Sequence, residues 1–241
     1  IIEWSADCNG DGLVDYGQIL DGTFADDDGN GVPDICETLE NTFSPIQDLI
    51  AEGTPIQGTL GNALSIDGDH AMATTFGSDG GVSFYQRSES GWGFNQYFDF
   101  PLSIPGLGEP YATRYGSSLR GEWAFAGARF GSSNGLVRVY RRVNGVWEEF
   151  QILDAPVTGG SFGSGFGLMI DFDGDTLLIG AFQEPSSQTG GAHFYVFDGS
   201  NWILQDSVKS IVPSGSGYFG ASVAIDGELA AIGSNDNRNN R

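Results

Sequence analysis

From residue 60 onward, short apolar runs alternate with glycine-centred polar turns. The clearest run is Leu177-Leu178-Ile179-Gly180-Ala181, which follows the turn Asp173-Gly174-Asp175. A run this short, without a helical period and bounded by turn residues, reads as an inner strand buried on both faces. Asp-Gly between two such runs signals a two-residue hairpin, and the type I′ turn it favours needs positive φ at both central positions. Aligning on the turn glycine brings Gly68, Gly121, Gly174 and Gly227 into phase, an interval of 53 residues three times running.

Other landmarks keep that phase. Each turn is preceded by an aromatic residue or Leu followed by Gly: Leu60-Gly61, Tyr115-Gly116, Phe166-Gly167 and Phe219-Gly220. After the turn come a small-apolar run ending near Gly127-Ala128, Gly180-Ala181 or Gly233-Ser234, then Val82 to Tyr85, Val137 to Tyr140 or Ala192 to Phe197, then Trp92, Trp147 or Trp202. Each repeat therefore predicts four short antiparallel strands, with flanking glycines that let neighbouring sheets approach closely. Four-stranded sheets repeated radially make a β-propeller. The fold expected is all-β, a partial propeller with four-stranded blades of about 53 residues.

Phe219-Gly220-Ala221-Ser222-Val223-Ala224-Ile225-Asp226-Gly227, then Ile232-Gly233, with Gly135 to Tyr140 and a following Trp, resembles the FG-GAP repeats of bacterial surface proteins, related to the integrin α-chain propeller. The resemblance covers roughly residues 42–241 and implies an extracellular propeller serving adhesion or ligand binding. Two features depart from it: the second copy is shorter between Gly116 and Gly121, and no repeat carries the Asp-rich calcium loop of some integrin repeats. Three complete repeats and a truncated fourth are expected within residues 41–241, as part of a longer natural protein. The segment Ile46-Gln47-Asp48-Leu49-Ile50 resembles Gln151-Ile152-Leu153, so it is a candidate outer strand for closing a ring; a ring of four with a defective last blade is the alternative.

Composition supports the all-β reading, with 38 Gly among 241 residues and Lys209 as the single lysine. The formal charge of −22 is uneven: residues 1–52 carry thirteen acids and no Lys or Arg, and the first basic residue is Arg87. A phosphate backbone or an anionic membrane surface needs clustered Lys and Arg, so neither partner is expected. Nor is membrane insertion, since no apolar run approaches 18 residues. Cys8 and Cys36 are the only cysteines and both lie in the acidic segment, which suits one disulfide in an oxidising, extracellular compartment.

Within residues 1–40 the acids are spaced. Asp7-Cys8-Asn9-Gly10-Asp11-Gly12-Leu13-Val14-Asp15 and Asp26-Asp27-Asp28-Gly29-Asn30-Gly31-Val32-Pro33-Asp34 both read D-x-[DN]-x-[DN]-G-x-x-D. This is the opening of an EF-hand-type calcium loop, with oxygen ligands at positions 1, 3 and 5, Gly at 6, a backbone carbonyl at 7 and a ligand at 9. The expected Ca²⁺ ligands are Asp7, Asn9, Asp11, the Leu13 carbonyl and Asp15 in the first loop. In the second they are Asp26, Asp28, Asn30, the Val32 carbonyl and Asp34, with Glu37 in the bidentate place at position 12, where the first loop has Gln18. Seven residues between Gln18 and Asp26 leave no room for two full helices, so the module resembles the shorter dockerin or thrombospondin type 3 calcium repeats, with a helical turn or two around Tyr16 to Leu20. The competing reading is an acidic disordered tail, which does not require Gly at position 6 twice.

Catalytic motifs are scarce. Gly215 to Gly220 satisfies G-x-G-x-x-G but leads into a strand of an all-β repeat, so a dinucleotide site fails on context. His70 and His193 read as structural, and Asp171, Asp173 and Asp175 as turn residues. The equal phase of Trp92, Trp147 and Trp202 favours packing over a carbohydrate platform. The leading expectation is a non-enzymatic, secreted or cell-surface propeller that binds an extracellular protein or carbohydrate. The rival is the propeller domain of a secreted polysaccharide-active hydrolase or lyase.

Overall fold

The computed structural model describes residues 15–26, 29, 33, 49, 58–77, 80–100, 116–128, 134–156, 164–183, 190–210 and 217–234. Ile1–Asp48 and Leu49–Arg241 form two compact units. In the first, α1 (Asp15–Leu20) occupies the place of the expected helical turn. It ends where the Gln18 carbonyl accepts the N–H groups of Thr23 at 2.8 Å and Phe24 at 3.1 Å, with Gly22 at φ 80°.

The second unit is all-β. Its strands are β1 (Gly58–Asp67), β2 (His70–Gly77), β3 (Gly81–Ser88), β4 (Gly91–Asp99), β5 (Ser117–Arg120), β6 (Trp123–Ala128), β7 (Leu136–Val143), β8 (Val146–Asp154), β9 (Met169–Asp173), β10 (Thr176–Ala181), β11 (Gly191–Phe197), β12 (Trp202–Lys209), β13 (Phe219–Asp226) and β14 (Leu229–Ser234). They form three four-stranded antiparallel sheets, each pairing in chain order, and among the described residues a two-stranded fourth, β13-β14. Each sheet is one 53-residue repeat.

The first hairpin of every sheet turns at the repeat glycine, with cross-strand pairs Asp67↔His70, Arg120↔Trp123, Asp173↔Thr176 and Asp226↔Leu229. Gly68, Gly121, Gly174 and Gly227 have φ of 54°, 60°, 58° and 55°. The turn type differs from the expectation. The central pair is Gly-Asp or Gly-Glu, one residue later than the Asp-Gly dipeptide suggests, and only its first member has positive φ, as in a type II′ turn. The preceding residue, Asp67, Arg120, Asp173 or Asp226, thus ends the strand with its side chain outside the turn. The I′ pattern occurs between β7 and β8, at Asn144 (φ 53°) and Gly145 (φ 83°).

Irregularities recur in phase as well. The fourth strand of each complete sheet gains one residue against its partner, Asn95 in β4, Phe150 in β8 and Gln205 in β12. In β1 and β13 the ladder also shifts after Leu60 and Phe219, where Gly61 and Gly220 both have φ of 88°. The second repeat, two residues shorter between its glycines, forms the four-residue β5 with no such shift.

The core lies between successive sheets. Met72, Phe84, Leu119, Ala124, Ala126 and Trp147 fill the space between the first two sheets; Phe125, Phe172, Leu177, Ile179 and Trp202 fill the next; and Leu178, Ala192 and Ile225 the third. Strand β10 is buried along both faces from Leu177 to Ala181, because it packs against a sheet on either side. At the inner strands the backbones themselves meet: the Gly116 N–H donates to the Gly167 carbonyl of the next sheet at 3.1 Å. A Cβ on Gly127 or Gly180 would fall inside contact distance of the Gly167 or Gly220 carbonyl oxygen, respectively.

Two glycines therefore serve opposite purposes, and substitution separates them. Gly180→Ala forces two sheet backbones apart and is expected to cost at least about 2 kcal/mol. Gly174→Ala meets open space but keeps a positive φ and is expected to cost about 1 kcal/mol. Urea denaturation of both variants checks the order.

Candidate functional site

Of the expected calcium ligands, Asp15 and Asp26 fall among the described residues. Asp15 is the first residue of α1, so position 9 of the first loop coincides with the helix start. The Asp26 carboxylate accepts the Gly29 N–H at 2.8 Å, and Gly29 has φ 73°. Asp7, Asn9, Asp11, Leu13, Asp28, Asn30, Val32, Asp34 and Glu37 lie outside the described residues, as do Cys8 and Cys36. The donor set expected from the sequence is entirely oxygen. Gln18, at position 12 of the first loop, is buried, with 6% of its surface exposed.

The second unit holds its own arrangement of polar groups, built on the hairpin ends. In β1, Ser65 and Asp67 share one face. The Ser65 hydroxyl accepts the Leu119 N–H at 2.8 Å, and the Asp67 carboxylate accepts the Gly121 N–H at 2.6 Å. Two repeats later, Asp171 accepts the Ile225 N–H and Asp173 the Gly227 N–H, both at 2.7 Å. Between these pairs stands Arg120, at the repeat position of Asp67, whose guanidinium pairs with Asp173. One position thus faces the next sheet as Asp, Arg and Asp in turn.

A second clasp ties the outer strands. The Gln96 side chain bridges to Trp147, donating to its carbonyl at 3.0 Å and accepting its N–H at 2.6 Å. Gln151 does the same to Trp202, at 2.9 and 2.8 Å. Each glutamine directly follows the extra residue of its strand, so the bulge turns the side chain out of the sheet and toward its neighbour. The signal in the sequence is a glutamine four residues after the repeat tryptophan.

The remaining candidates are absorbed by packing. Trp147 and Trp202 are each 2% exposed; Trp147 stacks on Phe84 at 4.5 Å, and Trp202 meets Phe125 at 5.1 Å and Phe172 at 5.6 Å. Neither presents a face to a sugar. His193 is fully buried with Nδ1 2.8 Å from the Ser207 hydroxyl. His70 lies edge-on to Trp147 at 6.4 Å, and burial together with Arg142 holds its pKa below the usual imidazole value. Among the described residues no three His, Cys, Asp or Glu side chains converge as a metal group. No described helix is long and apolar enough to cross a membrane.

No family model matches the chain, and no curated protein matches it significantly. Among solved structures, a hypothetical selenium-binding protein from Sulfolobus tokodaii is similar at a TM-score of 0.42 and 12% identity, over 58% of this chain and 38% of that one. The computationally designed Ika4 protein is similar at a TM-score of 0.45 and 14% identity, over 79% of this chain and 93% of that one. The chain thus spans 38% of the length of the selenium-binding protein. Both likenesses are too distant to carry an argument.

Asp173 gives the clasp a pH signature. The Gly227 N–H, and after it Arg120, hold its carboxyl below the ordinary value of 3.8. A carboxyl depressed on folding stabilises the fold above its unfolded pKa, and that contribution is lost as the pH falls through the folded value. Asp173→Asn is therefore expected to be less stable than the wild type at pH 7, with the gap closing below pH 3.8. Urea midpoints at pH 7, 4 and 3 measure it; a gap that does not change with pH contradicts the assignment.

Proposed function

We propose that residues 41–241 are blades of a β-propeller in a secreted or cell-surface protein, and that residues 1–40 are a calcium-binding module attached to it. The observation that carries the propeller reading is the recurrence of one sheet-to-sheet contact at one repeat position. Asp67 to Gly121 and Asp173 to Gly227 are the same bond, two repeats apart. A constant step between like sheets is what radial repetition requires. The FG-GAP resemblance supports the same reading and points to adhesion, or to binding of an extracellular protein or carbohydrate, as the role.

In the module, Asp7, Asn9, Asp11, the Leu13 carbonyl and Asp15 would hold one Ca²⁺. Asp26, Asp28, Asn30, the Val32 carbonyl, Asp34 and Glu37 would hold the second. Carboxylates crowded into a twelve-residue loop repel by roughly 4 kcal/mol per pair at about 4 Å in an effective dielectric near 20. A divalent cation reverses that sign, so metal binding and ordering of the loops are one event. A Cys8–Cys36 disulfide would close a loop of about 28 residues, worth roughly 3–4 kcal/mol in the chain-entropy model. It preorganises the loops without replacing the ion.

Calorimetric titration of the oxidised full-length chain, first stripped by chelator, tests the module. Calcium is expected to bind with heat and to order residues 1–40, magnesium to bind far more weakly, and Glu37→Gln to lower the affinity of one site at least about tenfold. Absence of calcium-dependent heat, or equal affinity for magnesium, contradicts the proposal.

A further inference from the structure

Two asparagines among the described residues are followed by glycine, Asn134 and Asn144, and the fold holds them differently. Asn144-Gly145 is the two-residue I′ turn between β7 and β8, with φ of 53° and 83°. It belongs to the second sheet, which has a sheet of this chain packed on either side. Asn144 and Gly145 are both exposed, and a Cβ on Gly145 would meet nothing within 4 Å. Val143 and Val146, which flank the turn, are 40% and 50% exposed, so little packing holds its tip shut. Asn134-Gly135 is fixed from outside its own strand. The Asn134 carbonyl accepts the Ser164 hydroxyl at 2.5 Å and the Phe166 N–H at 3.2 Å, and a Cβ on Gly135 would run into the Phe166 carbonyl oxygen.

We propose that Asn144 is a site of covalent self-modification, closing to a succinimide that water opens to aspartate and isoaspartate. The Gly145 backbone nitrogen gives up its proton and attacks Cγ of Asn144. An N–C bond forms, the Cγ–Nδ2 bond breaks, and the nitrogen leaves as ammonia with the proton. Water then adds to one of the two ring carbonyls. Opening on the side-chain side restores the ordinary peptide link beside a carboxylate; opening on the main-chain side leaves the chain running through the former side chain. Nothing is oxidised or reduced, and water is the one co-reactant. Both reacting groups belong to adjacent residues, so closure has the advantage of an intramolecular step, and glycine puts no side chain in the way. The Asp-Gly turns of the chain are far slower candidates, because an ionised carboxylate resists a nucleophile. Asp173 and Asp198 are held ionised below the ordinary range, the first by the Gly227 N–H and the second by the Asn201 and Ser200 N–H groups.

A flat five-membered ring needs Cβ and the following nitrogen on the same side of the Cα–C bond. The closed I′ turn does not offer that setting, so reaction passes through a frayed tip. Fraying is cheap at a hairpin end and costly in a core, since local openings span the range from near zero to global unfolding. At Asn144 it releases the Val143↔Val146 pair; at Asn134 it must pull the backbone away from Ser164 and Phe166, both fully buried. The isoaspartate product adds a backbone carbon to a loop whose two-residue length sets the β7-β8 register, just before Trp147 and its bond to Gln96. Either product adds a negative charge to a chain already at −22.

Peptide mass mapping of the full chain, incubated folded under mildly acidic and mildly alkaline conditions and again in urea, is the test. Cleavage after Arg138 puts the two asparagines on different peptides. In the folded protein Asn144 is expected to convert to the acid at least about tenfold faster than Asn134. Conversion is expected to quicken with pH, because the attacking nitrogen must lose its proton. In urea, where only the shared Asn-Gly sequence remains, the two sites are expected to convert at similar rates. Asn144 intact in the folded chain while it reacts in urea overturns the inference. Asn134 converting as fast as Asn144 in the folded chain overturns it too, as does a rate indifferent to pH.

Discussion

The second unit depends on a backbone group that a hairpin cannot satisfy for itself. In a two-residue II′ turn the N–H of the first central residue points away from the ladder, and at an exposed tip it is left to water unless a neighbouring sheet supplies an acceptor. Here Gly121 and Gly227 donate that N–H to a carboxylate on the preceding sheet, at 2.6 and 2.7 Å. The acceptor sits immediately before the glycine of its own turn in the first and third sheets; in the second, Arg120 holds that place and pairs with Asp173. This fixes the relative height of adjacent sheets, and the buried side chains between them then have one arrangement in which they fit.

The other recurring features follow from that step. Sheets held at this spacing bring their inner strands so close that a methyl group between Gly180 and Gly220 has no room. At the fourth strands, neighbouring sheets are bridged by the Gln96 and Gln151 side chains, which follow the bulges at Asn95 and Phe150. Large aromatics fill the space between the second and third sheets, where Trp123 meets Trp202 at 5.3 Å and Phe197 at 4.9 Å. Small residues thus line the close approach between sheets, and aromatics fill the rest of the space between them.

Much of this was legible in the sequence because its signals are local and periodic. The interval of the turn glycines, the apolar β10 run and the phased tryptophans each depend on a few adjacent residues, and together they place every strand. The turn type was not, because Asp-Gly reads as a central pair until one sees Asp67 committed to the neighbouring sheet. Asp171 and Asp173 read as turn chemistry for the same reason: their partners, Ile225 and Gly227, lie a whole repeat away. Gln96 and Gln151 bear a phase that sequence alone displays, yet their role depends on a bulge that only pairing reveals. In the first unit the expected ligand spacing is a reading of the sequence, and the described structure reaches Asp15, Asp26 and the Asp26–Gly29 bond.

Amide hydrogen exchange on dilute protein measures the inter-sheet bond most directly. Turn amides of an isolated hairpin exchange freely, whereas amides held by tertiary structure exchange only on larger unfolding. The account predicts that Gly121 and Gly227 are protected to the level of the strand interiors, as are Leu119 and Ile225. Gly68 occupies the same turn with no sheet before it among the described residues, and it is expected to exchange rapidly. Exchange at Gly121 and Gly227 as fast as at Gly68 would contradict the account.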